Sequence, residues 1–330
     1  MKKKLSVLLS ALLLLGLLAG CGGSNNSGPS GGGTPSPSGS LTFTTGGDQG
    51  TYYALGSVLA GQVSASTDTK VTAITSGGSQ ANILALSDGD AQLGFVQSDV
   101  MSYAYTGTNL FNSPVPGFST VAALYTEQVQ IVTLDPNLTS VADLAGKTVS
   151  VGDAGSGTYF NAVDILNAYG IDAENDINPV YESFGTSADS LQDGKIDAAF
   201  VVAGAPTNAI TSLAASKTVY LISLDDDHIN ALIASSPYYT RDVITADKYN
   251  LPGDVTTVAV GAVVIARDDA SEDDVYNFVS GVFENLDAVA SSHAKGTELN
   301  LDFAASVTSV PYHPGAARYF AEKGFDVPTK

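Results

Sequence analysis

The chain has one cysteine in 330 residues, Cys21, so no disulfide can form within it and the redox compartment cannot be read from cysteine pairs. Its arginines are three, Arg241, Arg267 and Arg318, and its 14 basic residues face 34 acidic ones, for a formal charge of −20. No basic face exists to neutralise phosphates, which excludes nucleic acid as a partner. The three histidines, His228, His293 and His313, join no His/Cys cluster with metal-ligand spacing, so no metal site is expected. Asp225-Asp226-Asp227-His228 could attract a cation or could simply start a solvated helix. No lysine completes a phosphate loop and no G-x-G-x-x-G occurs at the glycine-rich turns, so no nucleotide and no other cofactor is expected. Ala154-Gly155-Ser156-Gly157-Thr158 approaches a nucleophile elbow, but alanine replaces its first glycine and no histidine pairs with it in sequence. The composition therefore points away from an enzyme.

What is present begins with Lys2, Lys3 and Lys4, followed by an apolar run over 5–20. The run is too short and too N-terminal to favour a spanning helix, and 1–20 reads as a signal peptide. It ends Leu18-Ala19-Gly20-Cys21, which is similar to a bacterial lipobox. That similarity implies cleavage before Cys21, a lipid on its thiol, and an extracytoplasmic protein anchored to the cell membrane. Cleavage removes three lysines and no acid, which takes the charge to −20 − 3 = −23. Residues 21–40 are mostly Gly, Ser, Pro, Asn and Thr, cannot bury a core, and read as a flexible tether. The folded part is expected over 41–330.

The chain is organised around Gly152-Asp153-Ala154-Gly155-Ser156-Gly157-Thr158-Tyr159-Phe160-Asn161. This stretch follows a strand-like run, 147–151, and opens a helical pattern through Val163, Leu166 and Tyr169. Glycines let the backbone approach a ligand, and a helix start offers unpaired N–H groups at a positive dipole end. The result is a seat for a carboxylate or a phosphate. Gly46-Gly47-Asp48-Gln49-Gly50-Thr51-Tyr52-Tyr53 repeats the device, with Thr51 and Thr158 107 positions apart. A second echo, Leu86-Ser87-Asp88-Gly89 and Leu191-Gln192-Asp193-Gly194, lies at a spacing of 105. Two echoes at nearly one offset suggest two similar lobes, against chance recurrence of common dipeptides.

Further along, Ser79 caps a helix or contacts a ligand, and Asn82 in its first turn is a ligand contact or a solvated polar residue. A short buried strand over 92–96 delivers Gln97-Ser98-Asp99 at its carboxyl end, where ligands sit in open α/β sheets. Asp99 is a contact there or a helix N-cap. Residues 119–135 form one long β-rich run whose only turn-like point is Thr126-Glu127-Gln128, and 256–266 form a second. These two runs are expected to cross between the lobes. Pro206 falls where the strand over 198–202 turns into another helix. Strands alternating with helices predict an α/β fold.

Gly-Thr-Tyr-Tyr-x-x-Gly over 50–56, Gly78-Ser79-x-x-Asn82, Phe95-Val96-Gln97-Ser98-Asp99, Gly155-Ser156-Gly157-Thr158 and Tyr312-His313-Pro314-Gly315-Ala316 together resemble the TAXI-type solute receptors of TRAP transporters. The resemblance implies a two-lobed periplasmic-binding-protein fold of type II, each lobe a mixed sheet flanked by helices. Lobe I is expected over 41–132 plus 261–330 and lobe II over 133–260, joined by two crossing strands. It also implies capture of a small carboxylate or amino-acid solute, glutamate-like or a related organic acid, and delivery to integral-membrane TRAP permease subunits. The same fold serves ATP-driven importers of the nitrate, sulfonate or phosphonate type and sensory ligand-binding modules. Carried over by position, the contacts are Gln49, Tyr52, Ser79, Asn82, Gln97 and Asp99 from the first lobe and Ser156, Gly157, Thr158 and Pro206 from the second. Family members often carry a small residue or serine where Asp48-Gln49 stands here. Tyr52 and Tyr159 are site aromatics or core aromatics. No arginine falls within these motifs, so a salt bridge to a ligand carboxylate is not expected there.

Overall fold

A computed structural model describes residues 39–330. The signal segment, Cys21 and nearly all of the tether over 21–40 lie outside the described residues. The chain runs β1 (Ser40–Thr44), α1 (Thr51–Ser66), β2 (Lys70–Ile74), α2 (Ser79–Asp88), β3 (Leu93–Gln97), α3 (Ser98–Thr106) and a long β4 (Phe118–Thr133). It continues β5 (Thr148–Ser150), α4 (Gly157–Ala168), β6 (Asn178–Val180), α5 (Phe184–Gln192) and β7 (Ala198–Ala203). Then come α6 (Asn208–Ala214), β8 (Tyr220–Leu221), α7 (Asp226–Ser235), β9 (Thr240–Ile244) and a long β10 (Val255–Arg267). Helices α8 (Glu272–Phe283), α9 (Leu286–Ser292), α10 (Leu301–Ala304) and α11 (Pro314–Glu322) follow.

The strands form one mixed sheet in the order β2-β1-β3-β10-β4-β7-β5-β6, with β8 on β4 and β9 on β10. The internal echo is structural. β1-α1-β2-α2-β3 and β5-α4-β6-α5-β7 each build three parallel strands with the first in the middle. The echoed Asp-Gly pairs end corresponding helices. Gly89 (φ 86°) and Gly194 (φ 67°) take the left-handed conformation, and their N–H groups bond Leu86 and Leu191 carbonyls, each at 3.1 Å. A side chain is strained there, so glycine is the residue that stops each helix and turns the chain into its buried strand.

β4 and β10 pair antiparallel and belong to both halves of the sheet. β10 pairs β3 over 262–266 and β9 over 255–259, while β4 takes β7 as its outer partner from Gln128 onward. The changeover on β10 falls at Val260–Gly261. On β4 it falls at Glu127–Gln128. The changeover coincides with Thr126-Glu127-Gln128, the one turn-like point of that run.

Helices cover both faces of each half, which is why these strands are almost continuously apolar. In the first half Leu55, Leu59 and Val63 of α1 pack with Phe43, Phe95 and Phe278 against one face. Ile83, Leu86, Val100 and Met101 fill the other. In the second half Ile165, Leu166 and Leu232 cover one face, and Leu191, Ile210 and Leu213 the other. Each fully buried aliphatic or aromatic side chain contributes about 1.5–3 kcal/mol. No helix among the described residues is long and apolar enough to cross a membrane.

Candidate functional site

A cleft lies between the two halves where β4 changes partners. Its walls include the starts of α1, α2 and α4, and its lining includes Thr51, Tyr52, Gly78, Ser79, Ser156, Gly157 and Thr158, with Gln97, Tyr125 and Glu127 further in. The first N–H groups of a helix have no intrahelical acceptor. Gly50 and Gly78, the residues that cap α1 and α2, supply no side-chain oxygen to them. At α4 Ser156 Oγ accepts the Tyr159 N–H at 3.2 Å, leaving the Gly157 and Thr158 N–H groups at the end that faces the cleft. Three positive helix ends thus bound one small cavity, of a size for a few waters or a small solute.

The halves are closed on each other. A Cβ on Gly157 would lie 1.8 Å from Gln97 Oε1 and 2.7 Å from Ser79 Oγ. Ala81 N–H donates to Gly155 O at 3.1 Å, Thr51 Oγ1 to Gly204 O at 3.0 Å, and Ala209 N–H to Gln49 O at 3.2 Å. Deeper between the halves, Asn161 Nδ2 donates to Asp99 Oδ2 at 2.7 Å and to Tyr239 OH at 2.8 Å. Tyr239 OH donates on to Asp164 Oδ2 at 3.0 Å. Burial pushes the Asp99 carboxyl up to about 7, which the hydrogen bond from Asn161 partly opposes.

The inner end of the cleft is polar and unsatisfied. Tyr52 OH, Tyr125 OH, Gln97 Oε1 and Glu127 Oε1 are buried without hydrogen-bond partners. Glu127 is 1% exposed, and its Oε2 accepts Gln97 Nε2 at 3.4 Å. Burial pushes its carboxyl up to about 8, while neighbouring Tyr52 and Gln97 pull it down. Burial, with the Glu127 carboxyl next, also holds the Tyr52 and Tyr125 hydroxyls well above the ordinary tyrosine range. Lys295 lies near Tyr125 rather than in the lining; its Nζ is 5.6 Å from the Tyr125 ring centroid and bonds Glu298 Oε1 at 2.7 Å.

Six of the residues expected at the site line this cleft, namely Tyr52, Ser79, Gln97, Ser156, Gly157 and Thr158. Four do not. Asn82 is fully buried, and its Nδ2 donates to Thr45 O and Phe95 O, each at 2.7 Å. Asp99 is held by Asn161. Gln49 touches the second half through its backbone, and Pro206 is exposed, joined to Ala205 by a cis peptide, and precedes α6 instead of opening it. Ser79 is the first residue of α2 and not its cap; its Oγ accepts the Gln97 N–H at 3.1 Å, which ties the helix start to the strand end. Tyr52 stacks its ring on Phe95 at 4.5 Å and is also among the residues that line the cleft. Tyr159 points away and donates to Glu174 Oε1 at 2.9 Å. Tyr125 and Glu127 were not anticipated. The available signal was an acid in the middle of a 16-residue β-rich run.

The remaining chemistry is structural. Asp225 caps α7 by accepting the His228 N–H at 3.1 Å, and Asp226 pairs with Arg241. Arg318 pairs with Asp273 at 2.9 Å, and Arg267 with Asp269. His293 Nδ1 and His313 Nδ1 accept backbone N–H groups of Lys295 and Gly315. Among the described residues no group of three or more His, Cys, Asp or Glu side chains could hold a metal ion.

The profile of the NMT1-like family matches residues 43–324. The chain belongs to that family. The NMT1-like match spans both halves and the whole cleft. Among solved structures the fold is similar to MatC from Rhodopseudomonas palustris with bound malate, at 15% identity and a TM-score of 0.55, over 78% of this chain and 88% of that one. A protein from Bordetella bronchiseptica RB50 matches at 13% identity and a TM-score of 0.52, over 86% and 89%. The alkanesulfonate-binding protein SsuA from Xanthomonas axonopodis pv. citri, bound to MOPS, matches at 16% identity and a TM-score of 0.46, over 87% and 84%. The architecture is the α/β periplasmic-binding-protein fold, a curled mixed sheet flanked by helices.

Proposed function

We propose that this protein is an extracytoplasmic receptor that closes its two halves on a small carboxylate-bearing solute and hands it to a TRAP-type membrane permease. The observation that carries the reading is the convergence of three helix starts on one closed cleft crossed by the strands that join the halves. Ser156, Gly157 and Thr158 bind the carboxylate through N–H groups and hydroxyls, opposite Ser79 and Tyr52. The malate bound to MatC, whose fold this chain shares, supports a carboxylate ligand. The lipobox-like Leu18-Ala19-Gly20-Cys21 supports a membrane anchor.

Thermal shift against amino acids, dicarboxylates and 2-oxo acids tests the receptor role. A solute at about 100 times its dissociation constant adds about 2.7 kcal/mol of stability. No stabilisation by any small solute would sink the reading. An ATP-driven importer would use the same cleft, so the permease is tested separately. Vesicles carrying the partner permease should take up solute on a Na⁺ gradient without ATP, and a strict ATP requirement would replace TRAP with the importer. Cys21→Ser should move the protein from the membrane to the soluble fraction, and retention on membranes after a salt wash would refute the lipid anchor.

A further inference from the structure

We propose that a latch beside the cleft holds the two halves together: Asp99 of α3 grips Asn161 of α4 across the boundary while it carries its proton, and lets go when it ionises. The proposal uses the movement of the halves in the receptor reading above and no particular solute. Asn161 Nδ2 donates to Asp99 Oδ2 at 2.7 Å and to Tyr239 OH at 2.8 Å, and Tyr239 OH donates on to Asp164 Oδ2 at 3.0 Å. One amide thus ties the first half to two segments of the second. Its neighbours repeat the crossing. Tyr103 OH and Ser236 Oγ lie 3.1 Å apart, Ser102 Oγ bonds Tyr238 OH, and Asn109 Nδ2 donates to Asp164 Oδ1 at 3.4 Å. Phe160, beside Asn161, is 1% exposed because it enters the first half's core, its ring 5.6 Å from that of Phe111 and 6.4 Å from that of Tyr103. None of these residues lines the cleft. The solute is therefore no part of the latch. Asn161 nevertheless lies one turn past Gly157, so the latch seats the helix start that faces the solute.

A proton decides whether the latch holds. Asp99 and Asn161 are both fully buried, and each keeps one side-chain oxygen, Oδ1, without a partner. An ionised Asp99 would be a buried charge with one of its oxygens bare, whereas the protonated carboxyl is neutral and still accepts from Asn161 at Oδ2. Facing the carboxyl are Asn161 and Asp164 from α4, Tyr239 from the segment before β9, Tyr103 on its own helix, and Glu127 from β4. None of these is a cation. Burial raises the group to about 7, against the hydrogen bonds from the Val100 N–H and Asn161, and Asp164 adds to the rise. When the halves part, Asp99 meets water and returns to the ordinary 3.8. Closure therefore takes up a proton. Its contribution is complete below about pH 4 and is lost as pH rises through 7. Between pH 5.5 and 8.5 the ratio of closed to open molecules should fall about thirtyfold.

The test is electron–electron distance measurement between nitroxides on the two lips of the cleft, in the full chain and with no solute added. Ile74 and Tyr181 are exposed and precede Ser76 and Ser183 of the lining, so Ile74→Cys and Tyr181→Cys carry the labels, in a Cys21→Ser background that leaves no other thiol. At pH 5.5 the short distance should dominate, and at pH 8.5 a longer one should grow by the ratio above. Asp99→Asn keeps an acceptor for Asn161 and carries no charge, so the lips should stay together at both pH values. Asn161→Ala should part them at both. Tyr239→Phe keeps the ring in its core and removes one acceptor of the Asn161 amide, so opening should move to lower pH; it keeps the test decisive if Asn161→Ala folds poorly. Glu127→Gln removes the other nearby buried acid and should leave most of the pH response in place. One unchanging distance for the wild type at the two pH values would overturn the latch. So would opening at pH 8.5 that survives Asp99→Asn or vanishes with Glu127→Gln, since the proton would then sit elsewhere. These outcomes leave the receptor reading to the thermal-shift panel, which does not depend on Asp99.

Discussion

Gly157→Ala is the smallest change that should separate closure from folding. In the closed form the new methyl would stand 1.8 Å from Gln97 Oε1 and 2.4 Å from Gln97 Cδ. Ordinary contacts of this kind are about 3.4 Å, so something must move by about 1.5 Å. One escape is to displace Gln97, which breaks its hydrogen bond to Glu127 and leaves Glu127 Oε2 buried and unpaired as well. The other is to hold the halves apart. Either costs on the order of 1–3 kcal/mol, which is roughly a 5- to 150-fold loss of affinity. Gly157 faces the other half and is not in its own half's core, so the unliganded melting midpoint should change little. Gly47→Ala is the control, because a Cβ there meets nothing within 4 Å although the residue lines the same cleft. Titration with the best-binding solute of the panel, with small-angle scattering in the bound state, reads both effects. Wild-type affinity together with a wild-type decrease in radius of gyration would refute the claim that this glycine is the contact point of closure.

Asn82→Ala should destabilise the protein by about 2–4 kcal/mol, since it strands the Thr45 and Phe95 carbonyls, yet leave solute affinity of the folded protein unchanged. Chemical denaturation and titration together check this, and a selective loss of affinity would restore Asn82 to the ligand contacts. The folded pKa values of Glu127, about 8, and Asp99, about 7, lie above the ordinary 4.5 and 3.8. Their contribution is therefore present below about pH 4 and lost as pH rises through 7 and 8. The unliganded protein should lose on the order of 6 kcal/mol between pH 5 and 8.5, somewhat over half of it through Glu127, and Glu127→Gln should flatten that share of the slope. A melting midpoint that rises over this range would contradict the raised titration of the two buried acids. Replacing Arg241, Arg267 or Arg318 by alanine should leave affinity within about threefold, because these cations pair with surface acids away from the cleft. A hundredfold loss from any one would mean that a guanidinium clamps the solute.

Much of the architecture was legible because it is written in local physics. Each glycine-rich turn sits between a strand period and a helix period, and the Asp-Gly pairs recur where a left-handed residue must stop a helix. That was enough to place two similar halves and to name six of the residues that line the cleft. Side-chain direction was not legible. Asn82 and Asp99 occupy the expected positions near helix starts, but one turns into its own half and the other binds Asn161 across the gap. Glu127 interrupts an apolar run in the way a turn residue does, and nothing local distinguishes that from a strand carrying a functional acid across the boundary. Only the pairing of β4 with β7 and β10 reveals which. The contacts that close the halves, such as Thr51 with Gly204, join residues 153 positions apart and leave no trace in periodicity.

The central claim is that a small solute sits between the helix starts and the crossing strands. A crystal structure of the full chain grown with the best-binding solute of the panel tests it most directly. The account predicts the carboxylate within hydrogen-bond distance of the Gly157 and Thr158 N–H groups, and the rest of the solute reaching toward Tyr52 and Glu127. A solute bound instead in the cavity lined by Ser98, Tyr238, Gly261 and Phe303, with the cleft empty, would contradict it.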